Sequence, residues 1–287
     1  MKVVVPMAGT GDRFVRKGYA DPKPLIKVNG KMIIEYILDM FDTRNDKFVF
    51  VCNEKHLAET EMAKRLKSLV SSSEIVSIPC HKKGPVFTML GTNHLLDDDE
   101  EVIVSYCDNP YLWDYSHFKA WVKEKQSDGC ILSHTRFHPH RLSPTKMAYM
   151  RTDEKSDNVL AIKEKESYTD DHMSERASTG TYYFGKGKFI KKYFQEIIDL
   201  DINYNGEYYV TLVYNLMIRD GLKVHSYLTN YATVFGTPEE VENFEAWQTL
   251  LKGIQVKSEE DLVACYRYWK AYNEGAKQML ACKEVGR

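Results

Sequence analysis

Along the first half of the chain, short apolar runs alternate with segments whose apolar residues recur at helical spacing. This alternation constrains the fold more than any other feature. The runs fall at residues 2–5, 47–52, 74–79, 101–106 and 130–134. Between them, Ile33, Ile34, Ile37, Leu38 and Phe41 share one face of a helix expected over 32–41. Leu57, Ala58, Met62, Leu66 and Leu69 do the same over 54–69, and further helices are expected over 86–96 and 115–126. Strand and helix in turn imply right-handed β-α-β crossovers, hence a mostly parallel sheet with helices on both faces.

The second half changes character. Residues 146–151 and 159–165 read as paired strands around the polar turn 153–158, and 179–184 as another strand. Helices follow over 189–200 and 208–219, the second opened by the turn Asn205-Gly206-Glu207, and short strands over 222–227 and 232–235. Thr237-Pro238-Glu239-Glu240 supplies a cap, a proline at the first helical position and acids against the helix dipole. No Ser/Gly/Pro-rich linker or repeat interrupts the chain. The expected organisation is therefore one domain over 1–252 and a C-terminal helical extension over 253–287. In that extension Leu262, Cys265, Tyr266 and Trp269 could line one face, packing on the domain or making a dimer contact.

A net charge of −2 over 287 residues gives no basic field for nucleic acid or an anionic membrane, so neither is an expected partner. Phosphate binding must come from a local cluster. No apolar run is long enough for a membrane helix, and the first run is too short for a signal peptide. The six cysteines (Cys52, Cys80, Cys107, Cys130, Cys265, Cys282) include no Cys-x-x-Cys and read as reduced thiols of a cytoplasmic protein. His134, His138 and His140 cluster without the spacing of a zinc site, and no Gly-x-Ser-x-Gly supports acyl transfer.

The local cluster stands directly after the first strand, in Pro6-Met7-Ala8-Gly9-Thr10-Gly11-Asp12-Arg13-Phe14 and then Pro22-Lys23-Pro24-Leu25. Gly9 and Gly11 let backbone N–H groups approach a polyanion. Arg13 adds a planar charged fork and Lys23 a point charge, stiffened by the prolines on either side. The stretch is not a Walker A loop, since no Gly-Lys-Ser/Thr follows. It also lacks the third glycine of the dinucleotide fingerprint. Asp108 ends the strand 101–106. A carboxylate at the carboxyl end of a buried parallel strand suits Mg²⁺, although it could also simply open the turn before Pro110.

Gly-x-Gly-x-Arg followed by Pro-Lys-Pro, in that order after the first strand, resembles the sugar-phosphate nucleotidyltransferase family over about residues 1–246. The resemblance implies a three-layer α/β/α Rossmann-like, GT-A-like fold. It also implies a Mg²⁺-dependent enzyme that joins a nucleoside triphosphate to a sugar 1-phosphate or similar phosphate monoester and releases pyrophosphate. Such chemistry serves nucleotide-sugar or surface-polysaccharide biosynthesis, with small molecules as partners and a homo-oligomer possible. Carried onto this chain, Ala8, Gly9, Thr10, Gly11, Arg13 and Lys23 would hold the triphosphate, and Gly84, in Gly84-Pro85 with Thr88, would approach the nucleobase. Asp108 would hold the metal; Arg13, Lys23 and Asp108 form the implied catalytic set. Lys165, in Ile162-Lys163-Glu164-Lys165, would contact the acceptor phosphate. Gly180, before Thr181-Tyr182, would pass close to the acceptor, and Glu207 would meet sugar hydroxyls.

The chain departs from the family pattern at two positions. Pro79 stands where many relatives place a base-reading Gln, which leaves the nucleobase open. Val234 stands where relatives commonly carry a second metal-binding Asp, just before Gly236-Thr237-Pro238-Glu239. Two other readings remain at this point. A GT-A-type glycosyltransferase would use a nucleotide-sugar donor, against which the triphosphate cradle argues. A non-catalytic nucleotide-binding regulatory protein is motivated by Val234.

Overall fold

The apolar run after Met1 forms strand β1 (Lys2–Met7), whose alternating side chains enter two separate cores. The computed structural model describes residues 1–253 except 137, 139, 140, 142–146 and 154. A short ribbon, β2 (Lys27–Val28) with β3 (Lys31–Met32), follows the Pro-Lys-Pro segment. In the main sheet, β1 pairs in parallel with β4 (Lys47–Asn53), and β4 with β5 (Glu74–Ile78). On its other side β1 pairs in parallel with β6 (Val102–Ser105). Beyond β6 the sheet becomes mixed. The strand Arg176–Phe184 lies antiparallel between β6 and β7 (Gly129–His134), and Val224–Leu228 runs parallel to β7. With β8 (Tyr149–Thr152) and β9 (Val159–Lys163) forming an antiparallel pair, these two strands are β10 and β11. The order across the sheet is β11-β7-β10-β6-β1-β4-β5, with β8 paired to β10 and to β9.

Helices cover both faces, as the alternation required. Val3, Val5, Phe48, Phe50 and Ile103 point to a face covered by α2 (Ile33–Leu38), α4 (Met62–Leu69) and α6 (Tyr115–Glu124), through Ile34, Ile37, Met62, Leu66, Phe118 and Val122. Val4, Val49, Val51 and Val104 point the other way, toward α5 (Pro85–Leu90), α7 (Gly187–Asp199) and α8 (Val210–Arg219). Each such aliphatic or aromatic side chain stabilises the fold by roughly 1.5–3 kcal/mol relative to exposure. Tyr214 on α8 sits inside this second core, and its hydroxyl donates to the Tyr183 carbonyl at 2.8 Å.

Several expected elements end differently from the sequence reading. The helix over 54–69 is two helices, α3 (Glu54–Glu59) and α4. Thr60 lies between them with extended backbone, its hydroxyl donating to the His56 carbonyl at 2.7 Å. A threonine that bonds the backbone locally competes with helix continuation. Ala58, expected on the buried face, is exposed. The helix over 86–96 stops at Leu90 and continues as a 3₁₀ turn, Asn93–Leu95. Residues 232–235 form no strand. The amides of Thr233 and Phe235 donate instead to Pro110 and Asp108 carbonyls, at 2.9 and 2.7 Å, which binds this segment to the loop after β6.

The first compact unit is Met1–Glu240 and the second Val241–Arg287. Helix α9 (Pro238–Gly253) opens at the end of the first and provides the described part of the second. The helical extension expected beyond residue 253, with Leu262, Cys265, Tyr266 and Trp269, lies outside the described residues. Among the described residues no helix is long and apolar enough to cross a membrane.

Candidate active site

Two adjoining clefts open at the carboxyl ends of β1 and β6, where ligands collect in open α/β sheets. The larger, about 520 Å³, is walled by the loop from Ala8 to Gly11, by Gly84 and by Glu207. The smaller, about 220 Å³, is walled by Glu164, Lys165, Gly180, Tyr182 and Tyr209. Arg13, Lys23, Tyr106, Asp108 and Gly236 line both, so the charged groups stand at the junction. Every site residue expected from the sequence lines one cleft or the other.

Of the two glycines in the loop after β1, only Gly11 takes a positive φ. Gly11 takes φ 68° and starts the short helix α1 (Asp12–Arg16), which is pinned by the buried Phe14 packing edge-on to Tyr19 at 5.2 Å. With Phe14 turned inward, Arg13 faces the clefts. Lys23 opens a 3₁₀ turn, Lys23–Leu25, after Pro22, and the buried Pro24 and Leu25 fix its backbone. Its ammonium donates to Asp108 Oδ2. Burial acts to lower the Lys23 pKa, but Asp108, Cys107 and Glu240 together hold it above its ordinary value, so it stays a cation. The Asp108 backbone carbonyl is held by Phe235 N–H at 2.7 Å. The side chain of Asn109, oriented to suit its neighbours, donates to Asp108 Oδ1 at 3.0 Å.

Across the larger cleft, Lys82 reaches back to Asp12 at 3.0 Å, although it remains largely exposed. The Asp12 carboxyl is held below its ordinary range by the Thr10 hydroxyl first and by Lys82 second. His81, which the sequence reading passed over, also lines this cleft. Its Nδ1 accepts the Lys83 N–H at 3.1 Å, so the proton of the neutral ring is on Nε2, which meets Thr88 Oγ1 at 3.0 Å. Burial and then Lys83 lower its pKa, which keeps the ring neutral.

Gly84 and Glu207, distant in sequence, are neighbours. Tyr208 N–H donates to the Lys83 carbonyl at 2.9 Å and Val86 N–H to the Tyr208 carbonyl at 3.1 Å. Gly84 has φ +83°, and a Cβ there would lie 2.8 Å from both Tyr208 N and O. Glu207, expected beside the acceptor, therefore lines the larger cleft with Gly84; it reaches the smaller one only through the Tyr209 hydroxyl, which donates to its Oε2. The reason is the tight turn Tyr204-Asn205-Gly206-Glu207, which ends against the 83–86 backbone.

In the smaller cleft, Lys165 takes a positive φ of 56°, donates to the Tyr209 hydroxyl, and lies 4.5 Å from the centre of that ring. Its neighbour Glu164 accepts the Thr211 hydroxyl. Desolvation raises the Glu164 pKa to about 7, opposed by Thr211 and Lys165 and assisted by Glu207. Tyr209 was not singled out from the sequence; it lies two residues from Glu207, which was. Gly180 (φ +79°) sits at a register shift of β10, where its carbonyl accepts Tyr106 N–H at 2.9 Å. A Cβ there would meet the Asn109 amide at 2.6 Å. His134 and His138 pack ring to ring at 4.6 Å, with His138 pushed down to about 4 by burial; His140 lies outside the described residues.

The nucleotidyl transferase family model matches residues 2–223. The chain belongs to that family. The bifunctional protein GlmU of Buchnera aphidicola subsp. Schizaphis graminum is 27% identical over 214 residues, 74% of this chain and 42% of that protein. The chain spans about half the length of the curated relatives it matches. Among solved structures, a nucleoside-diphosphate-sugar pyrophosphorylase from Vibrio cholerae superposes with a TM-score of 0.69 at 20% identity, covering 85% of this chain and 99% of that one. The inositol-1-phosphate CTP transferase of T. maritima gives 0.65 at 15% identity, covering 83% and 90%. At such identities the likeness is one of fold, the GT-A-like nucleotidyltransferase architecture.

Members of the family generally use a divalent metal. The donor set here fits a hard cation: Asp108 presents oxygen at a strand end, in reach of both clefts. Among the described residues no group of three His, Cys, Asp or Glu is placed to hold an ion unaided. Substrate oxygens would complete the shell, as Mg²⁺ commonly allows.

Proposed function

We propose that the domain over 1–252 transfers a nucleotidyl group from a nucleoside triphosphate to a phosphorylated small molecule and releases pyrophosphate. The acceptor is a sugar 1-phosphate or a similar phosphate monoester, and the product feeds nucleotide-sugar biosynthesis. One observation carries the reading: two clefts of unequal size meet at Arg13, Lys23 and Asp108. The larger suits the nucleotide, the smaller the acceptor, and the junction suits the phosphates that react. The hydroxyl and amide groups of Tyr106, Tyr182, Asn109 and Ser178 around the smaller cleft suit a polyhydroxylated acceptor.

The acceptor phosphate oxygen attacks the α-phosphorus, the new P–O bond forms, and the bond to the β-phosphate oxygen breaks with pyrophosphate as leaving group. The acceptor is already an anion at neutral pH, so no protein nucleophile is needed. Catalysis is positioning plus neutralisation of repulsion between the two substrates. Arg13, Lys23 and the 8–11 loop hold the triphosphate, and Lys165 orients the acceptor phosphate. Asp108, together with phosphate oxygens, would hold a divalent cation, which would supply charge neutralisation at the reacting centre.

A matrix of the common nucleoside triphosphates against sugar 1-phosphates, phosphocholine and inositol phosphate, read as pyrophosphate release, tests the proposal. At least one pair should turn over, and silence across the matrix would sink it. With the active pair, Lys23→Ala should lower turnover roughly 10²–10³-fold, the loss expected on removing one electrostatic donor from a site of this kind.

A further inference from the structure

We propose that Glu240 supplies the second carboxylate for the divalent cation, in place of an acid at position 234. The proposal rests on the nucleotidyl-transfer reading above. Its starting point is the space beside Gly236, a residue that lines both clefts. Three side chains converge on the position a Cβ would take there: Glu240 Oε2 at 3.0 Å, Val234 Cγ1 at 3.4 Å and Asp108 Oδ2 at 3.8 Å. An acid at 234 would project into this space. The valine offers only methyl groups, and the oxygen that arrives there comes from the first turn of α9 instead.

Glu240 is 5% exposed, and carboxylates at that depth persist only where charge or hydrogen bonds compensate them. Asp108 and Glu240 are both hard oxygen donors of the kind a divalent cation takes, and phosphate oxygens would complete its shell. Gly236 has no side chain to fill the intervening space.

Glu240 also has a structural role available. Thr237-Pro238-Glu239-Glu240 has capping-box spacing, and the Glu240 N–H donates to Thr237 Oγ1 at 3.2 Å. The test therefore includes a rescue that a capping role would not produce. Binding of Mn²⁺ to the full chain, read from the free-ion signal in electron paramagnetic resonance, is measured for wild type, Asp108→Asn, Glu240→Gln and the double variant Glu240→Gln/Val234→Asp. Circular dichroism checks the fold of each. The expected result is a loss of affinity of roughly tenfold or more in both single variants, with recovery in the double variant. Three outcomes overturn the proposal: Glu240→Gln binding Mn²⁺ as wild type does while Asp108→Asn does not; Glu240→Gln losing affinity that Val234→Asp fails to restore; and wild type binding no Mn²⁺. The first two leave nucleotidyl transfer standing. Conversely, tight Mn²⁺ binding with the expected rescue but no pyrophosphate release from any substrate pair would keep Glu240 as a ligand and remove the proposed reaction.

Discussion

Glu164 shows how much one residue's surroundings add to its letter in the sequence. It lies next to Lys165, yet its carboxyl is desolvated enough that its pKa rises from 4.5 to about 7. The folded state therefore binds a proton that the unfolded chain has already released between those values. The stability this confers is fully present below about pH 4.5 and is lost as pH rises through about 7, amounting to at most about 3 kcal/mol. Urea unfolding midpoints measured at about pH 5 and about pH 8 should fall for the wild type and stay nearly level for Glu164→Gln. Parallel curves for the two proteins would show that the Glu164 carboxyl ionises as it does in water.

At the scale of elements, the site depends on segments that meet through backbone rather than through side chains. The loop before α5 docks on the turn before α8 by two hydrogen bonds to Tyr208, of 2.9 and 3.1 Å. That contact brings one wall of the larger cleft into place, and it passes through a glycine with φ +83°. Gly84→Ala combines a backbone conformation disfavoured for L side chains with a Cβ 2.8 Å from two backbone atoms, so the loop must withdraw. The expected cost is of order 1–3 kcal/mol, with a several-fold rise in KM for the triphosphate and a smaller change in kcat. Unfolding curves and steady-state kinetics check both halves of this expectation. A variant unchanged in each would mean that the loop-to-turn contact does not set the cleft.

At the scale of the whole molecule, the two hydrophobic cores are built from residues on either face of one sheet, and their members fall within Met1–Glu240. A unit with its own cores can fold alone. A chain ending at Gly253 should therefore unfold in one cooperative transition, seen alike by circular dichroism and tyrosine and tryptophan fluorescence. Transitions that separate by probe, or a fragment without a cooperative melt, would show that the domain needs residues beyond 253. The same sheet explains why the proposed catalytic set assembles. Parallel strands β1 and β6 run side by side, so the loops after Met7 and Ser105 emerge at one edge, and Lys23 reaches Asp108 across 85 positions of sequence.

The sequence by itself determined the layered α/β architecture, because hydrophobic period is local: short β-branched and aromatic runs such as 2–5 and 47–52, bounded by turn residues, read as buried strands, and the spacing from Ile33 to Leu38 as a helix face. It also marked the loop from Ala8 to Arg13, Lys23 and Asp108, since glycine, proline and charge at strand ends carry their reason with them. Mixed pairing in the sheet was not legible, because β10 inserts antiparallel between β6 and β7 through contacts far apart in the chain. Nor was the break at Thr60, where one hydroxyl outweighs an otherwise helical pattern. The tertiary structure alone decided that Glu207 stands with Gly84, that His81 lines the nucleotide-sized cleft, and that Glu240 arrives beside Val234 and Asp108. Each of these depends on where a loop ends in space, which is set by packing between distant segments and leaves no periodic trace in the residues themselves.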